Sequence, residues 1–365
     1  MAQKINGLSR DFIIHPGETI AEVLDEKNMS QKELAIRCGY SEKHISTVIS
    51  GQKNISPDFA KKLEYALGID AIFWINLQTN YDKELLEFEE LNNITKEEIS
   101  ILSKFKDIFK EYRKHGFLDI NLSDVDEVIE ARKVFNVSNL LQIPKLTHTG
   151  AYRINKNISV DDYVLYAWEH LCELIDENSE HSEDIVFNID LLKKSISDIK
   201  NIMFLDTDYI IPELRKVFAK CGISFYLMKS FSGAPVQGYI RKNSRDGLSL
   251  YMTIRGGYAD IFWFSLFHEI AHIINGDIKN IYIDYSDTQD IIENRANECA
   301  ANYLISKESY EKFVLENKYD LNSIFSLAKE NNVKPYICLG RLMNDHHLSW
   351  NKYNRYRERY KLLEA

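Results

Sequence analysis

Residues 267–277 read FHEIAHIINGD, and within them His268-Glu269-Ile270-Ala271-His272 forms an HExxH pattern. The pattern belongs to a longer apolar stretch, YADIFWFSLFHEIAHIING (258–276), without proline or internal glycine. It reads as one buried helix of about five turns. Two histidines four apart project from one face of such a helix, and two imidazoles at that spacing can hold one zinc ion. Glu269 is rotated about 100° away, which suits a carboxylate that faces water beside the metal rather than the metal itself. Phe264, Leu266, Phe267, Ile273 and Ile274 give the site dry walls.

A hydrolytic zinc site needs a third protein ligand and an open position. One solution places a third histidine ten residues after the first; that position is Ile278, so this solution is excluded. The other is a glutamate on a following helix, and ENRANECAANYLI (293–305) supplies Glu293. Small residues at Ala296, Ala300 and Ala301 allow that helix to approach closely. Asn297, one turn beyond Glu293, is placed to hydrogen-bond a ligand from behind. Glu298 competes for the third position but falls on a different face from the alanines, so Glu293 is preferred.

FWFSLFHEIAHIINGD followed by ENRANECAANYLI resembles the ImmA/IrrE family of metallopeptidases, over roughly residues 205–310. The resemblance implies His268, His272 and Glu293 as zinc ligands and Glu269 as general base. Cys299 stands where a phenylalanine is usual and Ser306 where proline is frequent; both concern packing or helix ending. Upstream, ISFYLMK, VQGYIRK and LSLYMTIR read as three short strands of a small antiparallel sheet, preceded by a helix, PELRKVFAKCG, that starts after Pro212. Tyr239, Tyr251 and Arg255 on these strands are weak candidates for stabilising an oxyanion.

The first 80 residues have a different texture. Short helices follow one another with clear punctuation: Ser30 with Glu33 three residues later forms a capping box, Gly39 makes a turn, Ser41 caps a third helix that Gly51 ends, and Pro57 opens a fourth. A fifth carries Phe73, Trp74 and Leu77. Two short helices joined by a glycine-bearing turn are what a helix-turn-helix requires. Ile45, Val48 and Ile49 face its core. Ser41, Glu42, Lys43, His44 and Thr47 face outward, where a helix in a major groove reaches base edges. Gln31, Lys53 and Asn54 are placed for phosphate. Residues 1–80 hold nine Lys/Arg against ten Asp/Glu, so phosphate attraction is local and a dimer would help by doubling the contacts. The stretch from HPGE at residue 15 to about 82 resembles the Xre-type helix-turn-helix of the HigA antitoxin family, which implies operator binding as a dimer, autorepression and a toxin as a possible partner.

Between the two, residues 83–200 look helical and acidic. ITKEEISILSKFKDIFKEYRKHG (94–116) has one helical spacing throughout, TGAYRINKN reads as a loop, and VDDYVLYAWEHLCELI as an aromatic core helix. The tail, WNKYNRYRERYKLL, reads as a basic, solvated helical face. A net charge of −10 over 365 residues argues against a protein coated in nucleic-acid-binding surface. Five scattered cysteines argue against a disulfide framework, and no run of about 18 apolar residues suggests a membrane span. A cytoplasmic protein fits best.

The expectation is a mainly α (α+β) chain in three parts. Residues 1–82 form a five-helix helix-turn-helix domain and 83–204 a helical linker domain. Residues 205–365 form a zincin-like domain with its small sheet, HExxH helix and a helical tail. Its expected function is a DNA-binding regulator, a homodimer on its operator, whose zinc metallopeptidase domain hydrolyses a peptide bond in a partner protein. The alternative is a non-enzymatic antitoxin and autorepressor, with the zincin domain as sensor or scaffold.

Overall fold

A computed structural model of the chain describes residues 13–120, 122–146, 160–179, 186–243, 247–277 and 287–362, with backbone alone for 287–290. The loop expected at 149–157 lies outside the described residues. The chain divides into two compact units, residues 1–99 and 100–365.

The first unit opens with α1 (Pro16–Glu26), α2 (Gln31–Cys38), α3 (Glu42–Ile49), α4 (Pro57–Leu67) and α5 (Ala71–Asn93). Ser30, Ser41 and Ser56 each accept from a backbone N–H three residues on, at 3.1–3.2 Å, and His15 and Asp70 from one two residues on, so all five starts are side-chain capped. Each of the serine and aspartate caps is worth about 1 kcal/mol. Ile20, Leu34, Ile45, Val48, Phe59, Leu63 and Trp74 are buried together as the core.

α6 (Lys96–Phe105) spans the division between the units. The second unit continues with α7 (Ile108–Lys114), α8 (Asp124–Val134), α9 (Ile143–Leu146), α10 (Asp162–Glu177), α11 (Ile189–Lys194), α12 (Ile196–Ile202) and α13 (Thr207–Lys220). The single helix expected over 94–116 is broken between α6 and α7, where Asp107 takes the position before a new helix. α13 begins upstream of Pro212 rather than after it, so the proline lies inside the helix.

Then come β1 (Ile223–Met228), β2 (Gly238–Lys242) and β3 (Leu248–Thr253), followed by α14 (Ala259–Asn275), α15 (Asp287–Leu304), α16 (Lys307–Glu316), α17 (Leu321–Glu330) and α18 (Pro335–Asn344). The sheet order is β1-β3-β2. β2 and β3 pair antiparallel as a hairpin, but β1 pairs parallel to β3. The antiparallel sheet expected from the sequence is therefore a mixed one. The connection 229–237 is long enough to carry the chain past the β3 position, which the hairpin's second strand then fills.

Strand alternation gives the sheet two different faces. Ile223, Phe225, Leu248, Leu250 and Met252 join α13, α14 and α18 in one large core. On the other face Tyr226, Tyr239 and Tyr251 stack in a row, and Trp168 of α10 packs on Tyr239. Asp176 of α10 accepts from Tyr226 (2.7 Å) and Ser249 (3.0 Å). The basic tail, expected as a solvated helical face, instead makes a short 3-10 turn (Asn354–Tyr356) and pairs Arg359 with Tyr258 as an isolated β-bridge. Its Arg357 is buried against Asp260, and Tyr360 accepts from Trp263. The residues of the tail that turn inward, Tyr353, Tyr356, Arg357 and Tyr360, are spaced as on a helical face, so the pattern alone does not separate a helix from this extended strap.

Candidate functional site

α14 is apolar on all sides, so it is buried all round, and its polar residues are buried with it. His268, Glu269 and His272 are 1%, 3% and 8% exposed. α15 packs along it and carries Glu293 opposite the two histidines. The ligand atoms of His268, His272 and Glu293 all lie within 4.8 Å of one another. His268 Nε2 is 2.9 Å from His272 Nε2, 3.2 Å from Glu293 Oε2, and His272 Nε2 is 3.3 Å from Glu293 Oε1. A tetrahedral zinc ion with bonds of about 2.0–2.1 Å separates its donors by roughly 3.3 Å, so these residues fit the ion with movements of a few tenths of an ångström.

The outer nitrogens are held as well. His268 Nδ1 lies 3.0 Å from Asn297 Oδ1, and His272 Nδ1 lies 3.0 Å from Asp277 Oδ2. Both oxygens can only accept, so each imidazole donates from Nδ1, and Nε2 is the nitrogen left facing the shared centre. Asp277 is in turn paired with Arg295 of α15. Asn297 was expected behind a ligand from its spacing; Asp277 and Arg295 were not. Asp277 follows Gly276, whose left-handed φ of 76° reverses the chain at the end of α14 and swings the carboxylate back onto His272.

The electrostatics favour positive charge at this centre. Burial pulls the His272 imidazole down, but the hydrogen bond to Glu293, the charges of Glu269 and Glu293 and the hydrogen bond to Asp277 outweigh it and raise it to about 9. Burial works against Glu293 too, yet its hydrogen bonds from His268 and His272 hold the carboxyl well below the usual range. Glu298, the competing candidate, is exposed and lines a neighbouring cavity.

Glu269 lies against β2. A Cβ built on Gly238 would lie 2.4 Å from Glu269 Oε1, so only a glycine admits the carboxylate there. Gly238 gave no sequence signal beyond its place at the start of a strand. Tyr239 and Tyr251, the oxyanion candidates, lie on the α10 face of the sheet, opposite Glu269. Arg255 donates toward Pro235 O at 3.4 Å.

In the first unit, Gln31, Ser41, Glu42, Lys43 and Lys53 are exposed. Thr47 is half-buried, and its hydroxyl donates to His44 O (2.8 Å). His44 is half-buried: its ring stacks on Tyr40 at 4.1 Å and meets Phe59 edge-on, with Lys53 Nζ 3.2 Å from Nδ1. Ser46, which the sequence reading left out, is exposed on α3. Asn54 is tied to Asp82 of α5.

Residues 20–74 match the helix-turn-helix family model, and residues 261–343 match that of the IrrE N-terminal-like domain, a peptidase family. Virulence-associated protein I of Dichelobacter nodosus is 36% identical over 75 residues, 20% of this chain and 69% of that protein. The HTH-type transcriptional regulator YddM of Escherichia coli (strain K12) is 31% identical over 81 residues, 22% of this chain and 84% of that one. The structure of an addiction module antidote protein of a HigA family from Coxiella burnetii shares 30% identity, covering 22% of this chain and 95% of its own, with a TM-score of 0.21. The chain also spans 7% of the length of Reticulocyte-binding protein homolog 1 of Plasmodium falciparum (isolate 3D7), at 22% identity over 56% of this chain. No helix among the described residues is long and apolar enough to cross a membrane. The chain belongs to the Xre-type helix-turn-helix family of DNA-binding regulators and carries an IrrE-like peptidase domain toward its C-terminal end.

Proposed function

We propose that this regulator is also a zinc-dependent peptidase, and that it cuts a partner protein, a repressor or a toxin–antitoxin component, to couple proteolysis to gene control. The observation that carries the reading is the convergence of His268, His272 and Glu293, with Glu269 buried beside them. Zinc bound there supplies Lewis-acid chemistry to the peptide carbonyl. Asn297 and Asp277 keep the imidazoles oriented. Glu269 accepts the proton of the attacking water as the new C–O bond forms. It then returns that proton to the amide nitrogen as the C–N bond breaks, leaving a carboxylic acid and an amine. The apolar flanks of α14 exclude bulk water and strengthen each of these interactions.

On the DNA side, Glu42, Lys43 and Ser46 of α3 read base edges while Gln31 and Lys53 hold phosphates, and a homodimer doubles the contacts.

The test pairs the zinc-loaded protein with its Glu269→Gln variant and incubates each with proteins that co-purify with the chain from its host, and with the chain alone. Cleavage by the first and not the second is the expected result. Equal cleavage by both sinks the mechanism. Tight zinc binding without cleavage of any partner or of the chain itself points instead to a non-enzymatic antitoxin with a zincin-type scaffold.

A further inference from the structure

The seam between α14 and α15 does not end at the metal-ligand residues. Toward the start of α14 it opens, with α18, into a cavity of about 490 Å³. On α14 the cavity is lined by Ile261, Phe264 and Ser265. Phe264 stands one helical turn before His268, and Ser265 and Ile261 one and two turns before Glu269, so all three share the face that carries the site residues. On α15, Asn297 and Ala301 continue the face of Glu293 in the same steps. Asn297 belongs to both places, because it also holds His268. The rise from Ser265 to Glu269 is about 6 Å, the length of roughly two extended residues.

The lining is apolar where it is open. Every residue from Ala259 to Ile273 is buried except Ile261 and Phe264, and both line this cavity. Trp350, also in the lining, is 51% exposed. The polar groups around them already have partners within the protein. Asp260 pairs with Arg357, Ser265 donates to Gln237, and Asp345 accepts from Tyr310 and Asn344. Arg341 donates to Ala301 O and Ile305 O, and Glu298 is exposed to solvent. What the cavity has left to offer is apolar contact. An apolar cavity of roughly 150 Å³ already accepts a benzene ring, so a leucine or aromatic side chain has ample room here.

We propose that this cavity receives a bulky apolar side chain of the protein substrate, leucine, methionine or an aromatic residue, one or two residues from the bond that is cut. The assignment rests on the peptidase reading above and adds to it the class of residue recognised.

The experiment uses the full-length Glu269→Gln protein loaded with zinc and, in a second sample, with paramagnetic cobalt(II), which takes the same kind of donors. Each is titrated by NMR with the N-acetyl amides of alanine, leucine, phenylalanine and lysine. Leucine is expected to bind roughly fiftyfold tighter than alanine, since each of its three extra carbons is worth about fourfold. Phenylalanine should bind at least as tightly as leucine. Lysine should bind more weakly than leucine, because its ammonium gains no partner among apolar groups. Cobalt should broaden the resonances of the bound leucine amide, and zinc should not. Ala301→Phe fills the cavity from the α15 side and should bring leucine down to the level of alanine. Ile261→Thr, similar in shape and at a partly exposed position, keeps the fold and should cut the leucine preference several-fold. Equal binding of leucine and alanine overturns the proposal. So does lysine binding as tightly as leucine, or a leucine preference that survives both variants. Leucine binding without broadening by cobalt also overturns it, since the apolar site then lies away from the metal. The outcomes separate from those of the peptidase test: a leucine preference beside the metal without any cleavage keeps the subsite and removes the enzyme, while Glu269-dependent cleavage indifferent to apolar residues does the reverse.

Discussion

Gly238 and Glu269 meet where a β-carbon on the glycine would lie 2.4 Å from the carboxylate oxygen. The two residues are on different elements, β2 and α14, and the contact sets where the proposed base can sit. Gly238→Ala therefore displaces Glu269 while leaving the three metal-ligand residues alone. Peptide hydrolysis is expected to fall about 100-fold, the usual cost of misplacing a reacting group by an ångström, while zinc content stays at one per chain. Loss of zinc together with activity would contradict this division of roles.

Asp277 and Asn297 act from behind the histidines. Asp277→Asn and Asn297→Ala are each expected to weaken zinc binding roughly 10–100-fold, measured by competition with a chromogenic chelator. Asp277 has a second tie to Arg295, so Arg295→Ala should weaken zinc in the same direction and by less.

Removing zinc has its own consequence. Extracted protein leaves three polar groups at the α14–α15 seam without the ion that joins them, so α15 loses part of its hold. The melting temperature should drop on chelation and recover on adding back zinc, as mass action on the folded state requires. An unchanged melting temperature would mean that the ion does not bind this seam.

A pH effect is expected away from the metal centre. Burial, with the Glu173 charge on the same helix, pushes the Glu169 carboxyl from 4.5 up to about 8. Tyr239 and Arg241 of β2 face this cluster, and burial pulls the adjacent His170 from 6.5 down to about 4, with Arg241 adding to it. A carboxyl with a raised folded value binds more protons in the folded state, so its contribution to stability falls as pH rises from 4.5 to about 8. His170, with a depressed value, adds stability as pH rises from 4 to 6.5. The two oppose each other below 6.5, and Glu169 acts alone above it. Between pH 6.5 and 8 the native protein should lose stability relative to Glu169→Gln, read as the difference between their melting temperatures at each pH.

Lys43 and His44 are neighbours on α3 with different work. Lys43→Ala is expected to weaken operator binding and leave the melting temperature of the helix-turn-helix unit unchanged. His44→Ala removes a ring stacked between Tyr40 and Phe59 and should cost about 1 kcal/mol of stability. A gel-shift titration beside a thermal melt separates them.

Much of the site could be read directly from residue order because helices impose a short, fixed geometry. His268 and His272 share a face by spacing alone, and Ala296, Ala300 and Ala301 identify the face of α15 that approaches them. Asp277 comes just after the HExxH helix in sequence, yet its role depends on the reversal at Gly276, which brings back a residue that a continued helix would have carried away. The sheet was harder to foresee. Pairing direction between β1 and β3 is set by where a nine-residue connection travels, and nothing in the strands themselves encodes it. The tail misled for a related reason: its aromatic and basic residues carry either a helix or an extended strap, and the choice is made by Tyr258, Trp263 and Asp260 far upstream.

β2 is a wall one residue thick with different furniture on each side. Gly238 leaves a gap for the carboxylate of Glu269, and Tyr239 fills the space under Trp168. A pairing error of one residue would exchange them, driving a phenol ring into Glu269 and opening a void beneath the indole. Strand parity and the placing of the proposed base are thereby one event: a chain that settles in the wrong frame has no room for the Glu269 carboxylate where the native one holds it.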